Sequence, residues 1–402
     1  MKVIAGGLVV VLLIVVAVGI YLRFTGGDDS TDQVVGTTPD AASVPNPAPV
    51  APLNISVVVA KPVDPWVRAA AEEYNGEGRL VDGGKVSVEV ITMDGITAVN
   101  RWSQGNFNDI PAAWIAESRA WVDLANIGAV DRVNQDIFLT GGQYRAQPLV
   151  LSPVVWGIWE KTLGVLAQHN GTAQISWDEL HEVAVAEGGW PDVGGPEDWG
   201  DFKLILGRPD RDPAGLTAMV GVAGVYFDKA KITTEDLQDP EFQAWLSEFL
   251  DTVIEFSPVA AENMLLFGRS DGDAGQIVES FLLINMDDFE TRHNEFVNIV
   301  YPDPVAWFDF PYATYMGKET LASEKTAALD FKDFLTSTDQ QAKALEFSLR
   351  PACVECPSTG GLISKWSGVG VKANIPSSSR MRPPTRGGIE TLLSFFEDYD
   401  RQ

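Results

Sequence analysis

Beyond residue 54, apolar and polar positions repeat three times in the order strand, loop, helix. The apolar or alternating runs predict strands at 55–60, 86–91 and 110–115, with helices at 64–74, after Asp94 to 102, and after Ser118. Asp64 is expected to be the N-cap of the first helix, with Pro65 at its first position. Such a repeat predicts an α/β fold with a parallel sheet, in which ligands gather at the carboxyl ends of the strands.

The pattern changes after residue 148. Residues 149–159 are almost wholly apolar and predict a strand that passes between two lobes. Ser176 and Glu179 have the spacing of a helix capping box, and Pro213 is placed to begin a helix after Asp212. The other predicted strands are 203–206, 297–301 and a second crossing strand, 310–316, and the other predicted helices are 214–227, 241–256, 276–283, 323–335, 339–347 and 388–399.

The N-terminal residues are dominated by an unbroken apolar run, 3–22, between Lys2 and Arg23. At about 1.5 Å per residue, a helix of this length spans a hydrocarbon core about 30 Å thick, so residues 1–23 are predicted to be a retained transmembrane signal anchor. The alternative is a cleaved secretory signal, whose apolar core is typically about 7–15 residues long and ends in small residues. The greater length of this run and its end at Tyr21 and Leu22 favour retention.

Residues 24–53 contain no Lys or Arg and are rich in Pro and Asp. This composition cannot bury a core, so the segment is predicted to be an extended linker. Lys2 favours an inside N terminus and Arg23 opposes it weakly. Because the rest of the chain has the character of an exported domain, we expect a single-pass protein of the cell membrane with its head on the extracytoplasmic side.

The composition of the head limits its function. Roughly 350 residues with an ordinary apolar fraction are enough for two domains with cores of their own. The net charge of −27 argues against binding to nucleic acid or to anionic lipid surfaces. The two cysteines, Cys353 and Cys356, are predicted to form a small structural disulfide in an oxidising compartment, the alternative being a thioredoxin-type redox motif.

Several motifs for chemistry were weighed and set aside. Residues 268–272 match the G-x-S-x-G pattern of hydrolases, but only His293 follows Ser270, and little chain lies between them. Residues 271–275 resemble the start of a calcium loop, yet Leu282 stands where a bidentate glutamate is needed. The histidines are scattered, and no phosphate-cradling glycine loop is present. The sequence therefore predicts a protein that is not an enzyme and that uses no metal or cofactor.

A resemblance to a known family rests mainly on residues 327–351, which contain ALDFKDFLTSTDQQAKALEFSLRP. This segment resembles the late helical pair of bacterial extracellular solute-binding proteins, the substrate-binding components of ABC transporters with a type II periplasmic-binding fold. Supporting matches are the first strand before Pro62, the segment DIPAAW at 109–114, the apolar run 148–159 and SWDEL at 176–180. The resemblance covers most of residues 54–402.

The resemblance implies two α/β lobes that close on a ligand, joined by crossing strands. Residues 54–150 would form the first lobe together with 310–402, and residues 151–309 the second. The implied function is capture of a small polar solute for an ABC importer, with the permease as partner. The alternative is a tethered sensor or envelope-assembly protein that keeps the binding fold and contacts another envelope protein.

Candidate ligand-binding residues follow from the loops at the ends of the predicted strands. In the first lobe they are Lys61, Asp64, Asp94, Gly95, Glu117 and Ser118, and in the second lobe Arg208, Asp210, Arg211, Asp212 and Ala214. These loops lack the serine clusters with which small-oxyanion binders of this layout hold their ligands. Because acidic and basic groups occur on both sides, we expect a polar organic ligand, such as a sugar or a zwitterion, over a bare oxyanion.

Overall fold

The computed structural model describes residues 51–353 and 355–401, all within one compact unit, Val50–Gln402. The β-strands are β1 Leu53–Val59, β2 Leu80–Val81, β3 Gly84–Thr92, β4 Ala113–Ile115, β5 Gln147–Pro148, β6 Val150–Trp159, β7 Leu204–Ile205, β8 Ala274–Val278, β9 Val297–Val300, β10 Trp307–Phe308, β11 Pro311–Thr314 and β12 Arg350–Pro351.

The α-helices are α1 Asp64–Glu77, α2 Gly95–Gln104, α3 Arg119–Val133, α4 Glu160–Asn170, α5 Trp177–Ala184, α6 Pro213–Tyr226, α7 Thr234–Leu237, α8 Pro240–Leu250, α9 Ala260–Phe267, α10 Glu279–His293, α11 Ala322–Leu335, α12 Thr338–Ala344, α13 Gly361–Lys365 and α14 Arg386–Asp400. Single 3₁₀ turns occupy Lys61–Val63, Trp190–Val193, Glu197–Trp199, Gly268–Ser270, Leu345–Phe347, Ser367–Val369 and Ser377–Ser379.

The predicted anchor and nearly all of the predicted linker lie outside the described residues. Within residues 51–401, no helix combines the length and the apolar character that crossing a membrane requires.

The first lobe is built on a six-stranded sheet in the order β2-β3-β1-β4-β11-β5. Strand β1 lies between β3 and β4 and is parallel to both, with Val57 paired to Val90 on one side and to Ala113 on the other. The three predicted strand-helix repeats are therefore confirmed. Helix α11 packs on β1 and α12 on α1, and the Trp66 indole donates to the Gln340 carbonyl at 3.1 Å.

The second lobe is built on a sheet in the order β10-β6-β8-β7, with β9 and β12 also paired to β6. Strand β6 is the strand predicted at 149–159, and it is antiparallel to each of its partners. The chain leaves the first sheet after β5 and returns to it between β10 and β11. The two crossings touch, because the Leu149 N–H donates to the Phe310 carbonyl at 3.3 Å. The predicted pair of crossing strands is thus present.

The predicted helix at 276–283 is wrong. Ala274–Val278 is strand β8, and the helix begins only at Glu279. Every residue of β8 is buried, because the strand lies between β6 and β7 and both of its faces are covered. A short apolar run of this kind does not alternate, so its pattern does not distinguish a central strand from a buried helix.

Two helix boundaries also differ from prediction. Asp64 is the first residue of α1 rather than its cap, which is Val63, and its carboxylate instead accepts from Arg68 at 2.9 Å and from the Thr92 hydroxyl at 2.5 Å. The helix predicted at 241–256 ends at Leu250. The Ser176 capping box and the Asp212 cap are present as predicted.

The C-terminal residues contact both lobes. Buried Arg350 donates to the fully buried Glu279 carboxylate at 2.6 and 2.7 Å, and Tyr301 donates to the same carboxylate. Helix α14 packs on α3 of the first lobe and on α6 and α7 of the second. The predicted disulfide between Cys353 and Cys356 is present.

Candidate ligand-binding site

A cavity of about 340 Å³ lies between the two lobes. The first lobe contributes the turn after β1, the start of α2 and the loop after β4, and the second lobe contributes the start of α6, of α9 and of α10. Most of the residues predicted to bind a ligand line this cavity, namely Lys61, Asp94, Gly95, Glu117, Arg211, Asp212 and Ala214. Their convergence follows the expectation that loops at the carboxyl ends of parallel strands meet. Their role in binding stays a prediction.

Four other predicted residues lie outside this cavity. Asp64 is held by Arg68 and Thr92. Ser118 lines a separate cavity of about 150 Å³. Arg208 forms an ion pair with Asp400 at 2.7 Å and another with Asp210 at 2.7 Å. Partners within the protein therefore occupy Asp64, Arg208 and Asp210, and the binding roles of all four residues stay predictions.

Two aspartates of the cavity cap helices. Asp94 accepts from the Thr97 N–H at 2.9 Å at the start of α2, and Asp212 accepts from the Ala214 N–H at 2.8 Å at the start of α6. A carboxylate at this position satisfies a free backbone N–H group and interacts favourably with the helix dipole. The N-terminal ends of α2 and α6 are thus already capped by carboxylates of the protein.

Glu117 is the most deeply placed charged group of the cavity. It is only 4% exposed, and its Oε2 atom has no hydrogen-bond partner. Burial, with smaller contributions from the charges of Asp94 and Asp212, raises its pKa to about 8. Burial likewise raises the pKa of Asp212 to about 7, with a further contribution from the charge of Glu262. The floor of the cavity therefore holds acidic groups that repel one another when ionised.

Ser280 is a second polar group without a partner. It is 2% exposed, its backbone N–H donates to the Ser152 hydroxyl at 3.0 Å, and its own hydroxyl has no partner. Most buried polar atoms in native proteins have a hydrogen-bond partner, so unpartnered polar atoms of residues that line a cavity are candidates to bind a ligand. Glu117 and Ser280 line the same cavity from opposite lobes.

Sequence reasoning missed the α9 and α10 sides of the site. The residues there are Pro258, Val259, Ala261, Glu262, Ser280, Phe281, Ile284 and Asn285. The signal that could have identified Ser280 is its position relative to β8. This strand is parallel to β7 and ends at Val278, two residues before Ser280. Because residues 276–283 were predicted to be helical, no strand end was expected there, and ligand-binding residues were expected only at strand ends.

The motifs set aside at the sequence level are not arranged for chemistry. The Ser270 hydroxyl donates to the Phe267 carbonyl at 2.6 Å, whereas His293 Nε2 lies 2.8 Å from the Leu265 carbonyl. The hydroxyl and the imidazole thus have different partners. Among the described residues, no group of His, Cys, Asp and Glu side chains is arranged to hold a metal ion.

No protein-family model matches the chain, and no curated protein matches its sequence. Solved structures do match its fold. The sulfate-binding protein SubI from Mycobacterium tuberculosis H37Rv matches at a TM-score of 0.51 with 13% identity, over 85% of this chain and 98% of that one. The cyclic alpha-maltosyl-1,6-maltose binding protein from Arthrobacter globiformis matches at 0.52 with 16% identity, over 87% and 93%.

A third similar structure is the periplasmic binding protein AfuA from Actinobacillus pleuropneumoniae, solved with fructose-6-phosphate bound. It matches at a TM-score of 0.53 with 12% identity, over 87% of this chain and 98% of that one. All three are named as binding proteins. The chain therefore has the two-lobed α/β fold of these binding proteins.

Proposed function

We propose that this protein captures a small polar solute between its two lobes and delivers it to an ABC importer. The fold supports the general function, because the similar structures are solute-binding proteins. The observation that carries the proposal is the cavity between the lobes, in which Glu117 and Ser280 present buried polar atoms without partners. Ligand sites are typically apolar cavities with a few such polar groups at fixed positions.

A thermal-shift screen of sugars, amino acids, amines and small organic anions tests binding. A hit should raise the melting temperature of the wild type and of Glu89→Gln, whose exposed carboxylate lies on β3 away from the cavity. The same hit should have a weaker effect on Glu117→Gln. Small-angle scattering with and without the hit should show lobe closure. If no compound raises the melting temperature, the proposed function is wrong.

The second candidate is a tethered sensor or assembly protein that does not deliver to a transporter. Helix α14 favours it, because Arg386 pairs with Asp136 at 3.1 Å in the first lobe while Asp400 pairs with Arg208 at 2.7 Å in the second. A helix attached to both lobes opposes the opening that release to a permease requires. Solute uptake by cells that express the protein with and without its candidate permease would separate the two functions.

We also propose that the head stands on the extracytoplasmic side of the cell membrane, tethered by residues 1–23 and the linker 24–53. The apolar run 3–22 supports this proposal. The tethered protein should stay with membranes during a high-salt wash and be released by detergent, since salt weakens electrostatic attachment only. A mature N terminus near residue 25 would show instead that the segment is a cleaved signal.

A further inference from the structure

We propose that the solute held in the cavity carries an ammonium group on an apolar body, and that Glu117 and Asp212 bind this group from the two lobes. The inference rests on the proposed function and narrows its ligand from polar solutes in general to organic cations.

The first observation is the charge of the cavity floor. Four carboxylates line the cavity, from Asp94 and Glu117 of the first lobe and from Asp212 and Glu262 of the second, and of these residues only Glu262 is exposed. None of them forms an ion pair with a basic side chain in the described part of the chain. A buried carboxylate without a partner is costly, and a bound cation relieves that cost.

The second observation is that the backbone leaves room for two of these carboxylates. A Cβ atom on Gly95 would lie 3.0 Å from Glu117 Oε2, and a Cβ atom on Gly207 would lie 1.8 Å from Asp212 Oδ2. Any other residue at Gly207 would displace the Asp212 carboxylate, and at Gly95 it would press on that of Glu117. Gly95 also lies close to the second lobe, since the same Cβ would lie 3.2 Å from the Pro213 ring.

The third observation disfavours an anion at three helix ends near the lobe interface, the N-terminal ends of α2, α6 and α3. Asp94 and Asp212 cap α2 and α6, and Asp309 accepts from the Arg119 N–H at 3.0 Å at the start of α3. An oxyanion normally binds at such ends through free N–H groups and the helix dipole. Here it would meet a carboxylate at each of them.

The basic groups of the cavity lie at its rim. Lys61 is exposed on the turn after β1, and the Arg211 side chain is 61% exposed. Solvent screens charges in such positions strongly, whereas the charge of Glu117 at 4% exposure is screened far less. At the floor a ligand therefore meets acidic groups, and a bound cation favours their ionised form.

The remaining wall of the cavity is apolar. Val259 and Ile284 line it and are 42% and 52% exposed, and Phe281 and Phe308 line it as well. Exposed apolar side chains in a cavity gain stability when a ligand covers them, and aromatic rings attract cations at short range. Because the acidic floor and the apolar wall belong to the same cavity, the solute that fits this cavity is a cation with an apolar body.

The test uses the full chain and primary amines with linear, branched and aromatic bodies, each beside the alcohol of the same carbon skeleton. Sugars and organic anions complete the panel. At least one amine should raise the melting temperature and bind in calorimetry, while its alcohol should not. Binding should weaken at least tenfold in Glu117→Gln and Asp212→Asn and stay unchanged in Glu89→Gln.

The release of protons when the ligand binds can be measured on the wild-type protein alone. Because a cation favours the ionised form of Glu117, binding should release protons, and amine affinity should rise with pH by up to tenfold per unit below about pH 8. Calorimetry in two buffers of different ionisation enthalpy measures this release. The groups that share the titration are Asp94, Asp212 and Glu262, with Lys61 and Arg211 at the rim.

The outcomes separate this inference from the proposed function. If sugars, alcohols or anions bind and no amine does, the inference is wrong and the proposed function stands. If an amine binds with no proton release and equally well to both cavity variants, the assigned site is wrong. If no compound of any class binds, both proposals fail.

Discussion

At the scale of single residues, Glu117 gives the protein an unusual dependence on pH. Its pKa in the folded protein is about 8, raised by burial from an ordinary value of 4.5. Between these values the folded state holds a proton that the unfolded state has lost, so the free energy of unfolding should fall as pH rises from about 5 to about 8. Most globular proteins do not lose stability in this range.

We expect Glu117→Gln to reduce this fall and to raise the melting temperature of the ligand-free protein at about pH 8, because glutamine carries no charge to bury. Thermal unfolding at several pH values measures the effect. Glu89→Gln, at an exposed position, should leave the pH profile unchanged. Identical profiles for wild type and Glu117→Gln would show that Glu117 titrates normally.

The Arg350–Glu279 pair is the second residue-scale feature. Both side chains are buried, and the Arg350 guanidinium also donates to the Lys372 carbonyl at 2.7 Å. We expect Arg350→Met to lower the free energy of unfolding by about 3–5 kcal/mol, because it leaves an unpaired buried carboxylate. Chemical denaturation measures this loss.

The matched control for Arg350→Met is Arg386→Met, whose pair with Asp136 is more than one third exposed on both sides. Exposed pairs contribute about 0–1 kcal/mol, so this variant should be near wild type. A similarly small loss of unfolding free energy in both variants would show that the buried pair contributes no more to stability than the exposed pair.

At the scale of elements, the Cys353–Cys356 disulfide closes a very short loop after β12. Constraining so few residues in the unfolded chain stabilises the fold by about 2 kcal/mol. Replacing both cysteines with serine should therefore lower stability modestly. Neither cysteine lines the cavity between the lobes, so solute binding should be unchanged.

Calorimetry and denaturation of the double serine variant, beside wild type with and without reductant, separate a structural from a redox role. Reduced wild type should behave like the variant. Loss of binding at full stability would indicate redox chemistry at this pair.

At the scale of the whole molecule, α14 should limit the movement of the lobes. The Tyr399 hydroxyl donates to Asp251 at 2.7 Å and Phe396 packs on Phe256, which adds to the pairs of Arg208 and Arg386. In Arg208→Ala/Arg386→Ala we expect faster hydrogen exchange at the crossing segments 147–151 and 307–311. Because exposed pairs are weak, total stability should fall by no more than about 2 kcal/mol.

Arg401→Ala is the control, since Arg401 directly follows α14 and, in the described part of the chain, forms ion pairs only with Glu397 and Asp398 of that helix. It should leave exchange at the crossings unchanged. Equal exchange in the two variants would mean that α14 does not couple the lobes.

The sequence by itself determined the features whose causes are local. The alternating strands β1 and β3, the Ser176 capping box and the Asp212 cap depend on residues within a few positions of one another, so their patterns predicted them correctly. The crossing strand β6 was also predictable, because a long apolar run between polar segments is typical of a buried strand.

The tertiary structure decided whatever depends on distant partners. Strand β8 is a strand because β6 and β7 cover it, and Ser280 faces the cavity only as a consequence. Arg208 belongs to the loop predicted to meet the ligand, but Asp400, far away in the sequence, holds it elsewhere. Burial of Glu117 depends likewise on both lobes at once. An apolar run or a charged loop has the same local pattern whichever partner it meets, and only the folded chain brings that partner to it.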